Sequence, residues 1–336
     1  MTEHRKLPDP PKTLLERAES MFGLGGYTPA AVPKELKKPV NRRPKRATPK
    51  AREAVIPAQD AAAPPTQPVP QAAPAPLATP QPEPVYEDVE FSTTVHPIDR
   101  DCLMRHGLIQ PEGQVTELLE EFRIVKRQVL QSVRKARETG SGALAQRVLV
   151  CSPHPDEGKS YCAANLAIAL AAEKDSEVLL VDADFAKPSL LKMLGLPKGP
   201  GFMDILARED MKVEDCVLAT DIAGLHVLPA GNHTTSDSEY LASHRTAEVL
   251  DRLTRAAPNR IVIFDSPPAL AASQAAELAD HVGQAIVVAR ADRTGQSALE
   301  DALTLLSSCP DLKLLLNAAH FSPSGRRFGA YYGEDA

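Results

Sequence analysis

Six short runs rich in Val, Ile and Leu follow one another along this chain, at residues 147–152, 177–184, 225–229, 260–265, 284–290 and 312–317. A strand with one face in water alternates apolar and polar residues. A nearly continuous apolar run belongs to a strand covered on both faces. Between the runs lie helical stretches at 160–174, 188–194, 238–255, 271–279 and 294–306. Strands alternating with amphipathic helices predict an α/β fold, a doubly wound and mostly parallel sheet spanning 143–320.

The remainder of the chain has a different character. Eighteen of its 31 prolines fall in residues 1–90, and 54–84 is almost wholly Ala, Pro, Gln, Val and Thr. Such a segment cannot bury enough apolar surface to offset its ordering entropy, so 1–90 is predicted to be disordered. Within it, 13–22 is amphipathic. Residues 1–60 hold 13 Lys and Arg against 7 Asp and Glu, a net of +6, and the whole chain carries −6, so 61–336 carries −12. The basic cluster around Arg42, Arg43, Lys45 and Arg46 is read as a solvated spacer or a tether for an anionic membrane surface, and no nucleic-acid partner is expected. No run approaches the roughly 18 apolar residues of a membrane span, and the first residues lack a signal-peptide core, so the expected location is cytoplasmic. The five cysteines are odd in number and lack metal-type spacing, which suits a reducing compartment.

Before the first run, 114–138 places Leu118, Phe122, Val125, Val129 and Val133 on one helical stripe with charged residues between them. This gives a helical linker region at 91–142. A short segment, 321–336, follows the last run.

The first run leads into Ser152-Pro-His-Pro-Asp-Glu-Gly-Lys-Ser160 and then into a helix. A loop between strand and helix that carries Gly-Lys-Ser is the context of a phosphate-binding loop. Its backbone N–H groups and the helix N-terminus face phosphates, Lys159 neutralises the β and γ oxygens, and the Ser160 hydroxyl ligates Mg²⁺. Pro155, Asp156, Glu157, Gly158 and Tyr161 complete the loop set. The first glycine of the usual G-x-x-x-x-G-K-[ST] pattern is Pro153 here. Two further strand ends carry acids: Val178-Leu-Leu-Val-Asp182-Ala-Asp184, with carboxylates two residues apart, and Arg260-Ile-Val-Ile-Phe-Asp265-Ser-Pro-Pro268. In a parallel sheet such acids meet the loop outside the carboxyl ends of the strands, and the i, i+2 spacing puts Asp182 and Asp184 in reach of one ion. ATP and Mg²⁺ are the implied cofactors.

These residues resemble the deviant P-loop ATPases, which include partitioning ATPases, nitrogenase iron protein and bacterial tyrosine kinases. The loop is most similar to the last branch, whose loop typically reads P-G-E-G-K-[ST]; Asp156 stands in the glycine position, and Ala186 stands where the family's D-x-D-x-R has arginine. Glu120-Glu-Phe-Arg123-Ile-Val-Lys126 resembles the family's E-x-x-R-x-x-R oligomerisation element, and Ile98-Asp-Arg-Asp-Cys-Leu with Gly107-Leu-Ile-Gln-Pro111 resembles the autokinases found beside exosortase-type polysaccharide clusters. The resemblance implies that Asp184 and Asp265 hold the waters of Mg²⁺, that Asp182 accepts the tyrosine proton and that Asn317 reads adenine. It implies Tyr331 and Tyr332 as phosphoacceptors, Glu120, Arg123 and Lys126 at the contacts of a ring-like homo-oligomer, a separate membrane-embedded activator that keeps the protein peripheral at the inner membrane, and a cognate phosphatase. A partitioning-type localisation ATPase and a weakly active scaffold of the polysaccharide machinery are the alternatives.

Overall fold

The computed structural model describes residues 89–319, apart from 139 and 141. The proline-rich segment 1–88 and the segment carrying Tyr331 and Tyr332 lie outside the described residues. In chain order the elements are β1 (Val95–His96), α1 (Arg100–Arg105), α2 (Glu117–Glu138), β2 (Arg147–Cys151), α3 (Lys159–Ala171), β3 (Glu177–Asp182), α4 (Leu190–Leu194) and α5 (Phe202–Ala207). Then come β4 (Leu218–Thr220), β5 (Leu225–Leu228), α6 (Asp237–Leu241), α7 (His244–Thr254), β6 (Arg260–Asp265), α8 (Gln274–Ala279), β7 (Gln284–Arg290), α9 (Gln296–Leu305) and β8 (Leu312–Asn317).

The strands form one sheet in the order β1-β4-β5-β3-β6-β2-β7-β8, in which β4 and β5 pair antiparallel and every other pair is parallel. Burial on both faces explains the continuous apolar runs. Along β3, Val178 and Leu180 enter the core on one face while Leu179 and Val181 enter the other, and β2, β6 and β7 alternate in the same way. The doubly wound, mostly parallel sheet predicted from the sequence is the observed fold.

Helix α3 is buried from Cys162 to Ala171 and is built largely from Ala, Leu and Ile. A helix that is apolar all round needs cover on more than one side. The sheet supplies one side and α2 another, inserting Phe122, Val129 and Val133. Residues from Ile98 to Val133 therefore share a core with the strands, and the boundary near 142 is one of composition rather than of packing.

Two strands escaped the sequence reading. β1 and β4 have two and three residues, too few to show a period. The helices α1 and α5 are equally short at six residues each. The predicted helix 238–255 is two helices, because Ser243 takes an extended conformation (φ −76°, ψ 157°) and its hydroxyl donates to the Tyr240 carbonyl at 2.6 Å.

A shared core makes a prediction. Phe122→Ala removes a side chain that is 5% exposed and should cost about 3–5 kcal/mol. In calorimetry the whole folded region should melt earlier in one transition; an unchanged main transition would mean that α2 is a separate layer.

Candidate active site

Strand register brings the chemistry together. Asp182 and Asp265 end β3 and β6 as direct neighbours in the ladder, and Asp265 is paired on its other side with Val150, just before the loop. Chain connections leave β2 toward β3 on one side, whereas β6 leads to β7 on the other, so the loop sits at the crevice where open α/β sheets hold ligands. The loop enters α3 through Gly158 at φ +97°, where a Cβ would lie 2.1 Å from Nδ2 of Asn317. Only glycine fits there.

Lys159 is the hub. Its ammonium lies 2.8 Å from Oδ2 of Asp184, 3.2 Å from the Ser160 hydroxyl and 3.9 Å from Oδ1 of Asp265. Burial works against its charge, but Asp265 and Asp184 outweigh burial and raise its pKa. Asp265 is fully buried; burial pushes its pKa up to about 6 against the pull of Lys159. Neither of its carboxylate oxygens makes a hydrogen bond with good geometry among the described residues, although the Ser160 hydroxyl is near enough to favour the charged form.

Asp182 has a different environment from the one its spacing implies. Strand β3 ends at Asp182, so the period-2 alternation does not carry its direction on to Asp184. Oδ2 of Asp182 accepts from the backbone N–H groups of Ser189 and Leu190 at 3.0 and 3.1 Å, and Oδ1 accepts from that of Asp184 at 3.3 Å. Asp184 instead turns to Lys159. The two carboxylates therefore face different partners. Burial and then the charge of Asp265 push the Asp182 pKa up to about 7, despite the three N–H donors.

A cavity of about 390 Å³ opens beside the loop, within the range of small-ligand pockets. Lys159, Ser160, Tyr161 and Asp184 reach its wall with Pro155, Asp156 and Gly158, and Ala186 and Lys187 also line it. Asp156 has φ +62°, which explains glycine in the resembled loops; its side chain is exposed at the rim. Two of the residues expected at the nucleotide do not line this cavity. Glu157 is 1% exposed and turns away from the cavity, accepting from the His154 N–H at 2.8 Å and from the Thr294 hydroxyl. Asn317, the last residue of β8, donates from Nδ2 to the Glu157 carbonyl at 2.9 Å. This contact ties the end of β8 to the loop. Thr294 and Arg290, which also touch the loop, have no sequence motif.

Glu120 and Arg123 pair with each other on α2, and Lys126 binds Glu173 at 2.6 Å with only 14% of its side chain exposed. All three of the proposed interface residues are thus engaged within the chain.

The donor set suits Mg²⁺. Among the described residues no group of three or more His, Cys, Asp or Glu forms a metal cage by itself. A hydroxyl, a carboxylate at the cavity and a buried carboxylate with unfilled acceptors match the hard-oxygen, nucleotide-shared coordination that Mg²⁺ prefers.

Fold and site define a doubly wound P-loop protein. No protein-family model matches the chain. Among curated proteins, the tyrosine-protein kinase YwqD of Bacillus subtilis is 31% identical over 188 residues, covering 55% of this chain and 77% of that protein. The tyrosine-protein kinase ptk of Acinetobacter johnsonii is 31% identical over 172 residues, and the tyrosine-protein kinase wzc of Salmonella typhimurium 30% over 165. The chain spans about a quarter of the length of these last two proteins, 23% and 22%. The chain belongs to the bacterial tyrosine-protein kinase family. Of solved structures, the chimerical protein CapA2B2 (TM-score 0.51, 23% identical, covering 68% of this chain and 93% of that one) and the BceF tyrosine kinase domain (0.50, 24%, 66% and 82%) share its fold.

The Asp182 environment sets a pH dependence. With its folded pKa raised to about 7 and an unfolded value of about 3.9, the carboxyl favours folding below pH 4, and that contribution is lost as pH rises to 7. Asp182→Asn keeps an acceptor for Ser189 and Leu190 and should melt several degrees above the parent at pH 8, the gap closing toward pH 4. A gap independent of pH would contradict this.

Proposed function

We propose that the chain transfers the γ-phosphoryl group of Mg-ATP to tyrosine, with Tyr331 and Tyr332 of a neighbouring copy as acceptors. The observation that carries the reading is the Lys159 ammonium, held between Asp184 and Asp265 where the loop opens into the 13-residue helix α3. Membership of the tyrosine-protein kinase family supports the same chemistry.

Phosphoryl transfer asks for positioning and charge neutralisation more than covalent chemistry. Lys159 moves from Asp184 onto the β and γ oxygens, and the N–H groups of the loop and of the first turn of α3 hold the same phosphates. Ser160 would hold Mg²⁺ directly and Asp184 and Asp265 its waters; the ion, when bound, neutralises charge on the β and γ phosphates. The tyrosine oxygen bonds to γ-phosphorus as the bond to the β-bridging oxygen breaks, ADP leaves, and the phenolic proton passes to a carboxylate. A group titrating near 7 is matched to accept it at neutral pH. Asp182 has that pKa, but it is fully buried beneath the turn that carries Ser189 and Leu190, so its role as acceptor requires that turn to open.

The wider reading rests on the sequence resemblance: autophosphorylation within a ring-like oligomer, control of exopolysaccharide polymerisation or export, a membrane-embedded activator and an opposing phosphatase. Among the described residues no helix is long and apolar enough to cross a membrane; attachment at the inner membrane through that partner is likewise part of what the resemblance implies.

Incubation with Mg-ATP followed by phosphotyrosine mapping tests the reading. Phosphate is expected on Tyr331 and Tyr332, with Lys159→Ala slowing its appearance on the order of 10²–10³-fold. Absence of phosphotyrosine from the parent protein, even with an activator's cytoplasmic segment present, would overturn the assignment.

A further inference from the structure

A loop that points its N–H groups at an anion must point its carbonyls the other way, and those carbonyls need donors of their own. Here the donors come from one corner of the sheet, where β7 and β8 end side by side with Arg290 in register with Asn317. Arg290 Nη1 donates to the Asp156 carbonyl at 3.1 Å, and Asn317 Nδ2 donates to the Glu157 carbonyl at 2.9 Å. Thr294, in the turn after β7, donates its hydroxyl to the Glu157 carboxylate, whose other oxygen takes the His154 N–H. The corner is itself cross-tied: the Arg290 N–H donates to the Thr294 hydroxyl at 2.8 Å, and the Ala291 N–H to the Asn317 carbonyl at 2.9 Å.

We propose that Arg290, Thr294 and Asn317 are positioning residues that set the shape of the phosphate loop from its outer side, with Thr294 and the buried Glu157 carboxylate as the central tie. The proposal builds on the nucleotide-site reading above. Two features of the loop call for such support. Asp156 is a non-glycine residue at φ +62°, a conformation that costs about 1 kcal/mol and persists only where neighbours hold it. Glu157 is 1% exposed, and a buried carboxylate that loses one of two hydrogen bonds is strongly disfavoured, so losing the Thr294 hydroxyl drives the side chain, and the loop with it, toward water. Thr294 and Asn317 do not border the 390 Å³ cavity, so their effect on a ligand passes through the loop.

The test pairs Thr294→Val, which keeps the shape and removes the hydroxyl, with Thr294→Ser, which restores it. Hydrogen exchange of a peptide spanning 155–162, measured without nucleotide, should speed up in Thr294→Val and return toward the parent rate in Thr294→Ser. Affinity for a fluorescent ATP analogue with Mg²⁺ should fall about tenfold in the first and less than threefold in the second, with turnover at saturating ATP changed far less than affinity. Should Thr294→Val fail to fold, Arg290→Gln removes the tie to Asp156 from a partly exposed position and should show the same two effects more weakly. Parent-like exchange in folded Thr294→Val, or equal loss of affinity in Val and Ser variants, would overturn the proposal. A parent protein that binds no Mg-ATP would sink the nucleotide reading, and the exchange result would still decide whether the brace exists.

Discussion

The Lys159 ammonium between Asp184 and Asp265 is the interaction on which the site depends. Three acids sit at or near the carboxyl ends of two neighbouring strands in a poorly solvated place; burial first, and then their mutual repulsion, raises the pKa values of Asp182 and Asp265. A buried cation offsets that cost. Its removal would leave Asp265 with no compensating charge, a far larger penalty than losing a surface pair. On the proposed function the arrangement suits exchange: phosphates would bring negative charge to the lysine, and a divalent cation would take over the acids. Binding would then replace one set of paired charges with another, so the ligand would not need to create compensation from nothing.

A second constraint acts on the backbone. A left-handed residue at 156 and a glycine at 158 whose Cβ position is closed off by Asn317 form one connected geometry. It is fixed on the inner side by the start of α3 and on the outer side by the β7–β8 corner. The cover of α3 by α2 belongs to the same chain of support, because Phe122, Val129 and Val133 hold the helix whose first turn carries Lys159 and Ser160.

Much of this was legible in the sequence, for identifiable reasons. Strands buried on both faces leave continuous Val/Ile/Leu runs, so β2, β3, β5, β6, β7 and β8 were placed within about two residues, whereas β1 and β4 were too short to leave a pattern. The Gly-Lys-Ser loop and the strand-end acids were found because their chemistry is local to a motif. Direction was not legible: Asp182 and Asp184 diverge because the strand stops between them, and Glu157 faces inward although its neighbours line the cavity. The contacts of Arg290, Thr294 and Asn317 to the loop join residues more than 130 positions apart. Nothing in a single sequence encodes such pairings except the fold itself.

A crystal structure of the chain with Mg²⁺ and a non-hydrolysable ATP analogue tests the central claim most directly. The account predicts the triphosphate in the cradle of loop and α3, with Lys159 Nζ withdrawn from Asp184 onto the β and γ oxygens, Ser160 on the metal, and Asp184 and Asp265 facing its waters. A nucleotide bound elsewhere, or one bound here with Lys159 still paired to Asp184, would contradict it.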